Sequence, residues 1–472
     1  MEKSKLDSIF LAIWRRALNL PSLNDLTVEL IRSWLEERKI SYASIQETNV
    51  GMFSSIDYIV LDCHTYKACF PKISINTNSE WNTRNNHIKE QIELWHKMEW
   101  FFPLWVPMGE INKLLSSARY GSKSEAIDSF NYHTSTNYSL AFQAVCIAQL
   151  LPKSVSLKKY LPIAREAYLA FYSGHRASSI AALIPTIEGA LDSIVSEYPQ
   201  LTPKEKINKV FDDVIQKEAE IYFDKMWTPK EYKTENFLVC LDERILFFST
   251  FRNWLLNSFF QDTKAYNGVT WLNRHVFAHA KSEEWQDSRN FTRLIVALTS
   301  MGVIESWYKS INGVSLLFPE MNDDGDLLWQ QAQLQLKTQM VMKEYEEKNY
   351  HKHGRLVPKM PTDDGVLHRK AILAEDCIND LVRPLRDSGY SIDVGEPDDN
   401  ALYIQVTAKS ENTILKITLL YSCATANSLY KQLASQSDVI LYRGAPYHQE
   451  QYAYGISIHV GPVTGWQPPK SN

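Results

Sequence analysis

A chain of 472 residues exceeds the usual size of one domain, and its 13 Trp, 24 Tyr and 19 Phe supply apolar material for several cores. With 50 Lys and Arg against 55 Asp and Glu, the net charge of −5 excludes a general basic coat for nucleic acid, so any RNA contact must be local. No apolar run reaches the roughly 18 residues of a membrane span, the start lacks a signal-peptide pattern, and six scattered cysteines predict no disulfide framework. We therefore expect a cytoplasmic protein with reduced thiols.

The first 150 residues mix predicted helices with a predicted strand. Apolar periodicity predicts helices over 6–18 and 26–38, and Asn24 or Asp25 offers the second helix an N-cap. Residues 56–62 have the composition of a strand, and the aromatic-rich stretch 87–102 predicts a helix that ends before Pro103. We expect an N-terminal mixed α/β region over 1–150, in which we find no catalytic signature.

Predicted helices dominate residues 155–310. Apolar residues recur at three- and four-residue steps over 162–172, 177–198, 203–223, 242–259 and 288–309. The second of these helices carries a broad apolar stripe, formed by Ile180, Leu183, Ile184, Ile187, Leu191 and Ile194. Helices joined by modest loops predict an antiparallel bundle.

The remainder of the chain changes character twice. Over 322–365 we expect a long polar helix, 327–348, followed by a linker with histidine, proline and glycine breakers. Over 366–465 we expect a small α/β domain, with helices at 367–387 and 426–435 and strands at 402–408, 414–421, 438–442 and 452–460. The expected fold is multidomain and mainly α, with a central antiparallel helical bundle between an N-terminal α+β region and a small C-terminal α/β domain.

One short segment, residues 271–280, concentrates chemically active side chains within the predicted bundle. It holds Arg274, His275 and His279 in an otherwise apolar stretch that we expect to be helical. A helix places residues four apart on one face, so the two imidazoles and the guanidinium are expected in one small volume. An arginine offers planar donors to a phosphate, and a histidine exchanges protons near neutral pH. This combination is suited to metal-independent RNA cleavage.

The same spacing occurs a second time, which limits what spacing alone can indicate. Arg443 and His448 are also five positions apart, but Gly444 and Pro446 between them disfavour a helix. We interpret that pair as a chance match in a hairpin or loop. The acidic run 396–399 is interpreted as a turn, because no Glu-x-Lys follows on the next predicted strand.

Residues 273–279 resemble the signature of the HEPN superfamily (higher eukaryotes and prokaryotes nucleotide-binding). That signature is an arginine, a polar residue, three variable residues and a histidine, which match Arg274, His275 and His279. Family members often have glycine after the final histidine, where this chain has Ala280. Residues 183–191 are similar to the second-helix segment of HEPN proteins in bacterial defence and abortive-infection systems. The resemblance covers the predicted bundle, 155–310.

The resemblance implies a helical bundle that forms a homodimer and brings two copies of the motif face to face. It also implies an RNase without metal or other cofactor, of the kind found in toxin–antitoxin, CRISPR-associated and antiphage systems, with an activator or antitoxin as a further partner. We expect His279 to act as base or acid, Arg274 to hold the phosphate, and His275 to support them or carry a second proton. Attack by the 2′-hydroxyl predicts a 2′,3′-cyclic phosphate and a 5′-hydroxyl, with DNA inert.

Other interpretations of the same residues stay open. Arg274 and the histidines can complement the carbonyl end of a helix, or His275 and His279 can be two ligands of a zinc site that needs two more. Asn273 either positions the phosphate or caps the helix, and Glu188 either orients the motif or faces solvent. A second functional hypothesis is a non-catalytic HEPN-like module that binds RNA or nucleotides and mediates assembly. A third is a regulator that acts through one of the flanking regions.

Overall fold

In the computed structural model the chain forms two compact units, each described by itself below. The structure describes residues 3–50, 56–75, 77–279, 281, 287–353, 365–444 and 449–470. The first unit comprises Met1–Phe171 and Arg176–Ala332, and the second comprises Tyr172–His175 and Gln333–Asn472. The prediction of a multidomain, mainly helical chain with strands near both ends is confirmed.

The first unit begins with two helices and a small antiparallel sheet. These elements are α1 (Lys3–Ala17), α2 (Val28–Glu37), β1 (Ser44–Val50), β2 (Ile56–Asp62) and β3 (Lys67–Pro71), with the strands in the spatial order β1-β2-β3. The strand predicted at 56–62 is confirmed as β2. The predicted cap of α2 is wrong: Asn24 and Asp25 belong to a preceding 3₁₀ turn, and the hydroxyl of Thr27 caps α2 by accepting from the backbone N–H of Leu30.

Helices make up most of the rest of the first unit. They are α3 (Ser79–Lys97), α4 (Met108–Tyr120), α5 (Lys123–Thr134), α6 (Leu140–Val145), α7 (Leu161–Tyr172), α8 (Arg176–Ile194), α9 (Pro203–Tyr222), α10 (Glu235–Leu238), α11 (Glu243–Trp254), α12 (Arg274–Ala278) and α13 (Ser288–Lys309). Helix α13 is buried along most of its length and packs against α8, α9 and α6. Its bounds agree with the prediction. Helix α3 begins earlier than predicted, because the side chain of Asn78 caps it through the backbone N–H of Trp81.

The apolar stripe predicted on α8 is confirmed as core. Its members are all buried: Ile180, Leu183, Ile184, Ile187, Leu191 and Ile194. The main packing partner of α8 is the buried helix α13. Burial of a whole stripe fixes the rotation of a helix about its axis. The direction of the partly exposed Glu188 on α8 is therefore set by the core.

The second unit is built on a five-stranded sheet. Helix α14 (Asp323–His353), which begins in the first unit, is followed by α15 (Gly365–Asp376), α16 (Arg383–Asp387), β4 (Ser391–Val394), β5 (Tyr403–Lys409), β6 (Ile414–Leu420), α17 (Asn427–Ala434), β7 (Val439–Tyr442), α18 (Gln449–Tyr452) and β8 (His459–Pro462). The strand order is β4-β5-β6-β7-β8, antiparallel up to β6 and parallel beyond it. Residues of α15 and α16 pack with Leu419 of β6, whereas α17 packs with Leu420, so helices cover both faces of the sheet.

Two predictions for this part of the chain need correction or restriction. The strand predicted at 452–460 is wrong for most of its length, because α18 ends at Tyr452 and β8 begins only at His459. Of the linker predicted at 350–364, residues 350–353 belong to the end of α14, and 354–364 lie outside the described residues.

Two general properties bear on the environment of the chain. Within the ranges that the structure describes, no helix is both long enough and apolar enough to cross a membrane. All six cysteines are buried and free, so none of them forms a disulfide.

Candidate functional site

Asn273 fixes the start of the short helix α12. Its side chain is fully buried, and its Oδ1 accepts hydrogen bonds from the backbone N–H groups of His275 and Val276 at 2.9 and 3.0 Å. Its Nδ2 donates to the carbonyls of Ser258 and Gln261 at 2.7 and 2.9 Å. Both N–H bonds and both lone pairs of the amide are thereby engaged. Asn273 is an N-cap that ties α12 to the preceding helical segment, and no donor of its side chain is left for a phosphate.

The helix that carries the motif is shorter than predicted. Helix α12 spans only Arg274–Ala278, and His279 is its C-cap residue with φ −100° and ψ 9°. The helix cannot extend backwards, because Trp271 has φ 56°, in the left-handed region. The prediction of one helix over 271–280 is therefore wrong, and Ala280 lies outside the described residues. The motif occupies a single helical turn and its end.

Arg274 is the first residue of α12 rather than one of its last. The amino end of a helix carries the positive end of the helix dipole, so a cation gains nothing from the dipole there. The interpretation that Arg274 complements the carbonyls at a helix C-terminus is therefore wrong. The two histidines do lie near that end, because His275 belongs to the last turn of this short helix and His279 is its C-cap residue.

Three neighbouring groups hold Arg274. Its guanidinium forms an ion pair with Glu188 of α8, and its Nε donates to Nε2 of His275 at 3.3 Å. Its Cζ lies 4.9 Å from the ring centroid of Phe260, a cation–π arrangement. The side chain of Arg274 is still 21 % exposed, so it remains open to a ligand from solvent. Glu188 thus contacts the motif instead of facing only solvent.

His275 is biased towards its neutral form. Partial burial lowers its pKa below the ordinary value, and the positive charges of Arg274 and His279 lower it further. The carboxylates of Glu188 and Asp262 act in the opposite direction without cancelling the effect. Because Arg274 donates to Nε2, the neutral ring carries its proton on Nδ1. His275 is therefore an uncharged imidazole with one N–H donor at neutral pH.

His279 completes the group at the surface. It is exposed at the end of α12, and it is near enough for its charge to influence His275. The structure brings Arg274, His275 and Glu188 into direct contact and leaves His279 beside them in solvent. Chemically, this arrangement offers a guanidinium for an anion and two imidazoles for proton exchange.

Gly189, next to Glu188, allows a close approach that the sequence did not indicate. A Cβ at this position would lie 2.1 Å from the hydroxyl oxygen of Tyr160 and 3.0 Å from its Cζ. Tyr160 therefore occupies the space that a side chain at position 189 would need, and glycine leaves that space free.

Glu99 is a buried carboxylate that sequence reasoning missed. It accepts hydrogen bonds from the backbone N–H groups of Val269 and Thr270 at 2.7 and 2.9 Å and from the Thr270 hydroxyl at 2.6 Å, and it pairs with Lys123 at 2.7 Å. Burial opposes its ionisation, but the hydrogen bonds from Lys123, Thr270 and Val269 keep its pKa below the ordinary value. Glu99 therefore anchors the loop that leads into α12. Its signal in the sequence is a lone carboxylate directly before the aromatic run 100–102.

A polar cavity of 440 Å³ adjoins this loop. Its lining includes Glu99 and Lys123 on one side, and Ser258 and Gln261 on the other. The last two are the residues whose carbonyls receive the Asn273 side chain. The wall of this cavity and the start of α12 are therefore mechanically connected.

The remaining candidates belong to the second unit. Arg443, directly after β7, pairs with Asp376 and lies 4.7 Å from the ring of Tyr421, and its sequence partner His448 is outside the described residues. The turn predicted at 396–399 lies two residues later, at 398–401, where the backbone N–H of Ala401 donates to the carbonyl of Asp398. The carboxylate of Asp398 accepts from backbone N–H groups of the residues that follow it. In the described part of the chain, no group of three or more His, Cys, Asp or Glu side chains is arranged to hold a metal ion.

Comparison of the chain with models of protein families, with curated proteins and with solved structures gives no match. The resemblance to HEPN proteins therefore rests on the residues at 183–191 and 273–279 alone.

Proposed function

We propose that the chain is a metal-independent endoribonuclease of HEPN type, acting in the cytoplasm as a bacterial antiphage defence or toxin effector. The observation that supports this most is the position of Arg274, in contact with Glu188 and His275 and beside the exposed His279. A phosphate ligand needs a charged, planar donor at the surface, and proton transfer needs imidazoles within reach of the same ligand.

In the proposed reaction, RNA supplies its own nucleophile. His279 removes the proton of the 2′-hydroxyl, the O2′–P bond forms, the P–O5′ bond breaks, and O5′ receives a proton from an imidazole. A guanidinium has five N–H donors, of which Arg274 uses one on His275 and one on Glu188. The others are available to the phosphoryl oxygens as negative charge develops there. The products are a 2′,3′-cyclic phosphate and a 5′-hydroxyl.

We further propose that α8, α9, α11, α12 and α13 form a HEPN-like bundle. This bundle dimerises through the surface that carries Arg274, His275 and His279. In one copy only His279 is exposed, since His275 is half-buried and its Nε2 accepts from Arg274, whereas the reaction needs both a base and an acid that reach the RNA. In a dimer with two facing motifs, His279 of one copy can act as the base and His279 of the other as the acid. An activator or antitoxin would then act by permitting or blocking this pairing.

The test is cleavage of single-stranded RNA by the purified chain in the presence of EDTA. Arg274→Ala and His279→Ala are expected to lower the rate at least about 100-fold, because each removes a group that acts on the transition state. Arg252→Ala is the matched control, since Arg252 pairs with Asp212 and Glu235 away from the motif. RNA with a 2′-deoxy sugar at the cleaved position is expected to be resistant. Equal rates for wild type and both motif variants would end the proposal.

A second candidate function is a non-catalytic module that binds RNA or nucleotides. It is favoured by the contacts within the motif. The guanidinium of Arg274 is already paired with Glu188, and the Nε2 lone pair of His275 already accepts a hydrogen bond from Arg274. This candidate predicts filter binding of RNA that weakens in Arg274→Ala, with no cleavage products from the wild-type chain. Appearance of cyclic-phosphate ends would exclude it.

A further inference from the structure

A second polar cavity lies in the first unit, between α3 and the strands β2 and β3. Its volume is 920 Å³, within the range of about 300–1,000 Å³ that is usual for small-molecule sites. Asp57 near the start of β2 and Lys72 directly after β3 line one wall. Glu80, Trp81 and Arg84 of α3 line the other. No residue of the 273–279 motif belongs to it, so a ligand here does not depend on the proposed nuclease.

Trp81 contributes a donor that lacks an acceptor. The residue is only 2 % exposed, and its ring stacks on Phe237 with centroids 4.6 Å apart. Its Nε1–H is buried and finds no hydrogen-bond partner among the residues that the structure describes. A buried polar group without a partner is unfavourable. Because this N–H is closed to solvent, a ligand oxygen can accept from it only when the indole ring shifts towards the cavity that Trp81 lines.

The charges around the cavity are of both signs and are divided between its walls. Arg84 is exposed and forms no ion pair within the described ranges, and Lys72 pairs with Glu47 at 2.5 Å. Asp57 and Glu80 are exposed carboxylates. The two cations suit a phosphate, and the two carboxylates suit the hydrogens of hydroxyl or amino groups. A simple inorganic anion would use only half of these groups.

We propose that this cavity binds a small phosphate-bearing molecule rich in hydroxyl or amino groups, of which a ribonucleoside monophosphate is the simplest example. Arg84 and Lys72 hold the phosphate, and Asp57 and Glu80 accept from the sugar or base. A shift of the Trp81 ring on binding lets its Nε1–H donate to a ligand oxygen. The phosphate can come from a free nucleotide or from an RNA chain, and we assign the site to the free nucleotide because the cavity is of small-molecule size.

The experiment is isothermal titration calorimetry of the full chain with AMP, GMP, CMP and UMP. At least one nucleotide is expected to bind, and Arg84→Ala is expected to weaken its Kd about tenfold, or about 1.4 kcal/mol. Trp81→Phe keeps an aromatic ring against Phe237 but removes the pyrrole part of the indole together with its N–H. Its thermal unfolding is therefore measured beside Kd, and a weaker Kd at an unchanged unfolding temperature indicates loss of the donor. Arg119→Ala is the matched control, because Arg119 is an exposed helix arginine that pairs with Glu90 outside the cavity.

Two results would overturn the proposal. The first is no binding of any of the four nucleotides to the wild-type chain. The second is an unchanged Kd in Arg84→Ala, whose exposed side chain can be removed without disturbing the core. In the first case, a loss of RNA binding in Arg84→Ala would assign the cavity to RNA. Arg274→Ala should bind AMP like the wild type, so failure of the nuclease proposal leaves this one standing.

Discussion

The carboxylate of Glu188 and the guanidinium of Arg274 join helix α8 to the first residue of α12. The two side chains are 36 % and 21 % exposed, so their attraction adds little to stability. The ion pair instead orients the Arg274 side chain. The buried stripe fixes the rotation of α8 and therefore the position of Glu188, and Glu188 in turn holds the guanidinium. Arg274 also donates to His275. A substitution of Glu188 therefore affects the imidazole of His275 in two ways, by releasing Arg274 and by removing the charge of the carboxylate.

Replacing Glu188 by glutamine is expected to lower the pKa of His275 further. The carboxylate of Glu188 and that of Asp262 raise this pKa, while burial, Arg274 and His279 lower it. Glu188→Gln removes one of the two negative charges and leaves the positive ones, so the imidazolium becomes less favourable. An NMR titration of the imidazole Cε1–H signals, with His275→Gln to assign the resonance, measures the change.

Asp192→Asn is the control for that titration. Asp192 is one turn further along α8 and pairs with Lys206 rather than with the motif. It should leave the His275 titration where it is in the wild type. A higher pKa in Glu188→Gln would show that Glu188 does not face His275 in solution.

Glu99→Gln is expected to destabilise the first unit by about 2–3 kcal/mol at neutral pH, because hydrogen bonds to an ionised buried carboxylate are replaced by weaker ones. The pKa of Glu99 is below its ordinary value of 4.5 in the folded chain. A carboxyl group of this kind contributes stability above its unfolded pKa and loses it as the pH falls through the folded pKa. The difference between wild type and variant should therefore be constant above about pH 5 and shrink on acidification.

Urea unfolding at several pH values, followed by tryptophan fluorescence, measures this difference. Glu93→Gln serves as the control, because Glu93 is an exposed carboxylate in the lining of the same 440 Å³ cavity. A Glu99→Gln variant that matches wild type at pH 7, or one whose deficit grows in acid, would contradict the assigned role.

Asn273→Ala is expected to cost about 2–4 kcal/mol, because four hydrogen bonds are lost and two carbonyls, one buried and one part-buried, are left without their donor. Asn273→Ser should lie between the alanine variant and wild type, since a serine hydroxyl caps a helix but cannot donate to both carbonyls. Asn257→Ala, at an exposed amide of the same segment, should stay within about 0.5 kcal/mol of wild type. Equal unfolding midpoints for all three variants would show that the cap does not hold α12.

The parts of the fold that follow from local pattern were predictable. The buried stripe of α8 follows from three- and four-residue periodicity, which reports the burial of one face. The bounds of α13 were also predicted, although this helix is buried on all sides from Arg293 to Ser306. The start and the short length of α12 could not be predicted in this way. Its start depends on Asn273 reaching the carbonyl of Ser258, and its approach depends on Glu99 binding Thr270 across 171 positions of sequence.

The candidate site divides in the same way. Arg274, His275 and His279 are recognisable from their spacing, because they are neighbours along the chain. The contacts that give them direction come from elsewhere: Phe260 lies under the guanidinium, and Glu99 anchors the loop. No spacing rule predicts such pairs, since they depend on how distant segments pack.

Arg274→Lys tests whether the motif needs a guanidinium or only a charge. A single ammonium group cannot replace the planar fork that contacts Glu188 and His275 and still offers donors to a phosphate. RNA cleavage is expected to fall about 100-fold in kcat, with a smaller change in KM, because the lost donors act mainly on the transition state. Arg252→Lys, in the ion pairs with Asp212 and Glu235, should cleave at the wild-type rate. If both lysine variants match wild type, Arg274 supplies charge alone, and the proposed phosphate contact through its planar donors is wrong.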